Sequence, residues 1–245
     1  MKKSKLLLMK TNFWLLLTAG MATVVFNSYG QEGKNANNSA TTDAGVVING
    51  VKWATRNVDA PGTFAAAPED FGMFYQWGHN IAWSATDPMI NSNGGSVWDK
   101  NGGSISGVSI SSSLAYLRET TWKKENDPSP VGWRVPTIKE MKALCDKKKV
   151  AHEWITQNGV AGVKLTDIAT GNTLFLPAAG GRYYRDGSLY GTVGLSGYYW
   201  VSSPYRMSDN KDRPTFGFYV TFWKKRANWN GEGYRDGNSV RCVAE

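Results

Sequence analysis

The chain has 245 residues, is 41% hydrophobic and 13% aromatic, and carries 28 basic against 20 acidic side chains for a net charge of +8. Lys2, Lys3, Lys5 and Lys10 lie ahead of an apolar run from Phe13 to Phe26; without them 24 basic residues face 20 acidic ones, a net +4 that argues against a nucleic-acid partner. No other apolar run approaches the ~20 residues a membrane-spanning helix needs, so no span is expected once this segment is removed.

A basic start, a short apolar stretch and small residues at Ser28-Tyr29-Gly30 have the layout of a secretory signal peptide. Residues 1–30 are read as that signal, cleaved near Gly30-Gln31, with an uncleaved anchor as the alternative. The mature chain is then extracytoplasmic: secreted, periplasmic or on the cell surface. Residues 31–45 hold no large apolar side chain, cannot offset their own ordering entropy, and read as a flexible linker. Residues 46–245 suit one domain with an ample core.

In chain order, Val46-Val47-Ile48 and Val51-Lys52-Trp53-Ala54 flank Asn49-Gly50, the strongest short hairpin signal because both turn residues must accept positive φ. Between Ser84 and Ser113 the chain is rich in Gly, Ser and Asn and reads as a long irregular excursion. Thr137 with Glu140 forms a capping box after Pro136, and Ile138, Met141, Leu144 and Cys145 share one helical face. Asn158-Gly159 predicts a second hairpin, between Glu153–Thr156 and Val163–Thr166. Two near copies, Tyr184-Arg185-Asp186-Gly187-Ser188 and Tyr234-Arg235-Asp236-Gly237-Asn238, are explained equally by a remnant repeat or by turn chemistry. Tyr198–Val201 is an aromatic strand, and Phe216, Phe218, Val220 and Phe222 alternate as in a sheet with one buried face. In the closing strand Val240, Cys242 and Ala244 share a face and Arg241 takes the other. Sheet, packed helix and long loops together indicate an α+β fold.

Catalytic signatures are incomplete. His152-Glu153 begins like a zinc-protease motif, but Thr156 stands where the second histidine belongs. Gly194-Leu195-Ser196-Gly197 falls one residue short of a nucleophile elbow, and no phosphate loop or dinucleotide fingerprint occurs. No catalytic residue, metal ligand or cofactor is assigned. The tryptophans Trp53, Trp77, Trp133 and Trp200 sit in strands or beside turns and are read as core. Trp223 and Trp229 flank Lys224–Asn228 in what reads as a loop between strands. With Arg226 and Tyr234 they form the candidate ligand site, suited to stacking on a sugar ring or anchoring a partner protein.

The stretch Asp127-Pro128-Ser129-Pro130-Val131-Gly132-Trp133-Arg134-Val135-Pro136-Thr137, continuing into Ile138-Lys139-Glu140-Met141, and the closing Gly237-Asn238-Ser239-Val240-Arg241-Cys242-Val243 resemble the signature of the Fibrobacter succinogenes major paralogous domain (FISUMP) family. The resemblance covers residues 46–245. It implies a C-type-lectin-like fold: a mostly antiparallel twisted sheet, one or two packed helices, and long loops that carry the recognition surface. It also implies a disulfide tying the helix to the closing strand, here Cys145 to Cys242, although many members carry cysteine where this chain has Ser129. Trp133–Thr137 is similar to formylglycine-generating enzymes as well, but their reactive cysteine pair has only Cys242 to match it here. The acidic-proline triplets of calcium-dependent lectins are missing. The expectation is an exported, non-catalytic recognition or adhesion module for a glycan or a surface protein. An extracytoplasmic hydrolase and a structural component of a surface assembly are the alternatives; two close carboxylates in a pocket, one with a raised pKa, would favour the hydrolase.

Overall fold

The computed structural model describes residues 40–100, 122–205, 216–224, 226–232 and 235–245, with the backbone alone for Pro204, Tyr205, Phe216, Arg226 and residues 228–232. All lie in the compact unit Asn35–Glu245. The expected signal peptide and most of the expected linker fall outside the described residues. Among those described, no helix is long and apolar enough to cross a membrane.

Twelve strands and one α-helix are described: β1 Val46–Ile48, β2 Val51–Trp53, β3 Met73–Tyr75, β4 Ala82–Ser84, β5 Trp133–Arg134, α1 Ile138–Leu144, β6 Val150–Gln157, β7 Val160–Asp167, β8 Thr173–Pro177, β9 Ser196–Tyr205, β10 Phe216–Trp223, β11 Arg226–Glu232 and β12 Val243–Ala244. The strands form four antiparallel sheets, β1-β2-β12-β5, β3-β4, β6-β7-β8 and β9-β10-β11. The fold is therefore mostly antiparallel sheet with one packed helix. Both expected Asn-Gly hairpins form, with φ of 47° and 78° at Asn49-Gly50 and 47° and 85° at Asn158-Gly159. Mirror-image turns of this kind match the twist of the strands they join.

The expected single buried face of the aromatic sheet is corrected. On one side of β9 and β10, Tyr199, Val201, Phe218, Val220 and Phe222 join Trp53, Met141, Leu144 and the inner residues of β6–β8. On the other, Trp200 and Tyr219 join Tyr75, Trp77, Trp122, Trp133, Val240 and Cys242. The partner positions Tyr219 and Thr221 on β10 and Trp200 on β9 are buried as well, so both faces are buried. Tryptophans assigned to the core are there: Trp53, Trp77, Trp133 and Trp200 are all buried. Two of them donate their indole N–H across the core, Trp77 to Val201 O at 2.8 Å and Trp200 to Tyr75 O at 2.6 Å.

Helix α1 starts where the sequence says it should. Thr137 Oγ1 accepts from Glu140 N, and the Glu140 carboxylate accepts from Thr137 N at 2.7 Å. The same carboxylate takes a bidentate pair from Arg134, at 2.6 and 2.9 Å. Upstream, Asp127 accepts from Ser129 N at 2.9 Å and Val135 N at 3.0 Å. The polar residues of the Asp127–Glu140 motif thus satisfy one another and fix the approach to the helix.

The closing segment runs through the middle of the molecule. Arg241 is fully buried, donating from Nε to Asn57 Oδ1 at 2.9 Å and from Nη1 to Ala54 O at 3.2 Å. Burial depresses its pKa to about 10, against the pull of Tyr199 and Asp43. Asp43 lies in the stretch expected to be a flexible linker up to residue 45, and that boundary is corrected. Its side chain is 1% exposed, and it accepts from Gly45 N at 2.8 Å, Thr55 N at 3.1 Å, Thr55 Oγ1 at 2.8 Å and Arg56 Nε at 3.2 Å. One carboxylate anchors a segment that has no large apolar side chain to do so.

The expected Cys145–Cys242 disulfide is also corrected, since both cysteines are free thiols. Cys145 caps the C-terminus of α1 and packs against the first core layer, whereas Cys242 is buried in the second. Cys242 Sγ instead donates to Ser129 Oγ at 3.0 Å. The residue at position 129, where related sequences are expected to carry cysteine, is the one that faces it.

Two outcomes follow for stability. Ser129→Cys is expected to form a disulfide with Cys242 in air, closing a loop across 113 positions and adding ~4 kcal/mol in the chain-entropy model. Non-reducing peptide mapping should find Cys145 still alkylable. For Asp43, burial alone would raise the carboxyl pKa, but the bonds from Gly45, Thr55 and Arg56 outweigh it and hold it below the usual value. Its contribution is therefore complete above the unfolded carboxylate range of about 4 and is lost as pH falls through the lower folded value. Asp43→Asn should cost about 1–3 kcal/mol in urea unfolding at pH 7, and the gap to the parent should narrow below about pH 3.

Candidate functional site

The segment holding Trp223, Arg226 and Trp229 is a β-hairpin, not the expected loop. Trp223 pairs with Arg226 at the turn and Trp229 lies opposite Val220. Tyr234 falls outside the described residues. Strand β11 advances ~3.4 Å per residue, so Arg226 and Glu232 stand about 20 Å apart. Trp223 and Arg226 therefore sit at one end of the hairpin and Glu232 at the other. Among the described residues, Trp223 and Arg226 lie at the turn and Trp229 three positions further along β11. Lys-Arg-Ala-Asn-Trp-Asn lacks apolar alternation, which is why this edge strand reads as a loop in the sequence.

At the turn, Trp223 is 37% exposed and opens onto a recess of about 160 Å³, shared with Trp154, His152, Lys147 and Lys224 and floored by Phe222. His152 is half-buried, with its Nε2 at 3.3 Å from Leu144 O. Burial first, and Lys147 after it, push its pKa below the usual histidine value, with the Leu144 bond opposing them.

The two near copies also meet. Arg182 and Gly237 exchange backbone hydrogen bonds at 2.8 and 2.9 Å. Gly187 and Gly237 both face the indole of Trp98: a Cβ on either would come within 2.7 or 2.9 Å of that ring. Trp98 is itself stacked on Trp83 at 4.8 Å and donates to Tyr184 O at 3.0 Å. The recurrence thus reflects two Asp-Gly turns closing on one buried indole. Asp186 is exposed and bonds its own turn, through Ser188 N and Oγ. Asp236 is buried and accepts from Tyr184 N at 3.0 Å and Tyr190 OH at 2.7 Å.

Above this buttress lies a run of partly exposed rings. Tyr183 contacts Tyr184 at 4.6 Å and Tyr190 at 6.3 Å, and Tyr190 contacts Tyr198 at 5.3 Å. The guanidinium of Arg235 stands 5.3 Å over Tyr184, and that of Arg185 at 5.5 Å. Arg185 Nε also donates to Tyr184 OH at 2.9 Å, which leads the lowering of that phenol's pKa. Beneath, Arg182 is fully buried and donates to Ser84 O, Thr86 O, Gly187 O and Asp87. It pins the start of the expected Ser84–Ser113 excursion. Sequence reasoning missed this face, although the repeated Tyr-Arg-Asp-Gly was its signal.

A larger cleft of about 440 Å³ follows the Asp127–Thr137 motif, lined by Trp122, Trp133, Val131 and Arg134 among others. Its charges are paired within the chain, Arg134 with Glu140 and Lys124 with Glu245. Among the described residues no three His, Cys, Asp or Glu side chains gather to hold a metal ion. No family model, curated protein or solved structure matches the chain.

Because Asp236 holds both Tyr184 and Tyr190, Asp236→Ala should cost about 1.5–3 kcal/mol in chemical denaturation. It should also speed amide exchange at Tyr184. Asp236→Asn keeps an acceptor and should lose less on both measures.

Proposed function

We propose that this chain is an exported, non-catalytic recognition module of the FISUMP type, with a C-type-lectin-like arrangement, that binds a glycan or a surface protein through the tyrosine–arginine face. The observation that carries this reading is the set Tyr183, Tyr184 and Tyr190 with Arg185 and Arg235, held in place by buried Asp236 and Trp98. Tyrosine supplies contact area at little rotamer cost, and arginine adds planar hydrogen bonding. A face pinned from below loses little entropy on binding. The antiparallel sheets, the capped helix after Pro136 and the closing strand set between β2 and β5 support the family resemblance.

The hydrolase reading would centre on Asp59. Burial pushes its carboxyl pKa up, the Ala60 backbone bond opposes this, and Asp70 adds to the rise. Asp70 commits its Oδ2 to Ala67 N, and neither carboxylate lines the recess or the larger cleft. Recognition is the better-supported function.

The test is a glycan and extracellular-matrix binding screen of the chain from Gln31, followed by Tyr184→Ala and Arg185→Ala. Each is expected to weaken binding by ~1 kcal/mol or more while leaving the melting temperature nearly unchanged. Unchanged affinity in both variants would remove the face from the site. Glycan hydrolysis that disappears in Asp59→Asn would replace recognition by catalysis.

A further inference from the structure

We infer that the recess at the β10–β11 turn is a second binding site, which takes a single acidic sugar unit, a pyranose carrying a carboxylate or a sulfate. Its walls combine two indoles, Trp154 and Trp223, with the ammonium groups of Lys147 and Lys224. An indole face accepts the C–H face of a sugar ring, and a neighbouring cation selects an anionic substituent. The volume, about 160 Å³, lies below the ~300–1,000 Å³ of pockets that enclose drug-sized ligands, so it fits one ring or chain end.

Nothing anionic neutralises the recess from within. No carboxylate lines it, and neither Lys147 nor Lys224 forms an ion pair among the described residues. The acidic neighbours are engaged elsewhere. Glu153 alternates to the other face of β6 from His152 and Trp154 and is ion-paired with Lys164. Asp146, next to Lys147, accepts from Lys148 N at 3.0 Å. Half-buried His152 adds a polar ring edge beside the lysines, already committed at Nε2 to Leu144 O. The four contributing segments are the turn after α1, β6, Val163 of β7 and the end of β10 with its turn. They are fixed to one another through Val150, Val163 and Phe222 in the first core layer, so the recess is preformed. It shares no lining residue with the tyrosine–arginine face.

The experiment titrates the chain from Gln31 with methyl glucuronide, N-acetylglucosamine 6-sulfate and methyl glucoside. Binding is followed by tryptophan fluorescence and indole N–H shifts in the parent, in Lys147→Ala/Lys224→Ala and in Tyr184→Ala. At least one acidic sugar should bind about tenfold more tightly than methyl glucoside. It should lose about tenfold in the double lysine variant and nothing in Tyr184→Ala, and should weaken as salt rises. Which of the two acids binds identifies the charged group. Equal binding of neutral and acidic sugars, no binding of either acid, or full affinity in the double lysine variant would overturn the site. None of those results bears on the tyrosine–arginine face, whose own variants read it separately.

Discussion

The fold depends on the passage of Gly237–Val243 through its centre. Each residue bonds a different neighbour: Gly237 with Arg182, Asn238 with Tyr75, Ser239 with Tyr198 and Trp200, Val240 O with Val58 N, and Cys242 O with Ala54 N. Val243 then pairs with both Trp53 and Arg134. Three of the four sheets are joined through this one stretch. Short sheets of two to four strands are marginal alone, so their stability comes from being threaded together. The thread is late in sequence and its contacts are long-range, which makes docking it an expensive loop closure. Arg241 shows how tightly it is held: a guanidinium taken wholly out of water, bonded to Asn57 and Ala54, is tolerated only where the surroundings are built around it.

That dependence explains why the two sequence motifs speak for architecture. In the Asp127–Glu140 motif Asp127 is used on two backbone amides and Arg134 on Glu140. In the closing motif Arg241 and Cys242 face inward. The closing motif reaches the tyrosine–arginine face only from below, through Gly237 against Arg182 and Trp98. A signature of this kind identifies a scaffold, while function resides in what is grafted onto it.

What was legible in the sequence was local. The capping box and the Asn-Gly turns are decided by a few adjacent residues, and both form as expected. The inward tryptophans were legible too, because large aromatics in strands have few other places to go. What depended on distant register was not. The partner of Cys242 is set by how β12 lies beside β5, which brings Ser129 to it and leaves Cys145 in the other core layer. Asp43 was missed because a linker was judged by its lack of apolar side chains, whereas it is held by charge-assisted hydrogen bonds. Strand β11 was hidden by its polar sequence.

The two Tyr-Arg-Asp-Gly copies show how one sequence can serve fold and surface at once. In the second, Asp236 is buried, Gly237 is bonded to Arg182, and the segment leads directly into the central thread. In the first, Arg185, Asp186 and Ser188 are exposed, and Asp186 bonds only within its own turn. Trp98 touches both, so the exposed copy is positioned by the buried one. Substitutions at Arg185 or Ser188 therefore alter what the face presents without disturbing what holds it. Changes at Asp236 or Gly237 act on face and core together. As the proposed recognition surface, this face could change specificity at low cost to stability, because its exposed half adds contacts and its buried half is already bound into the closing segment.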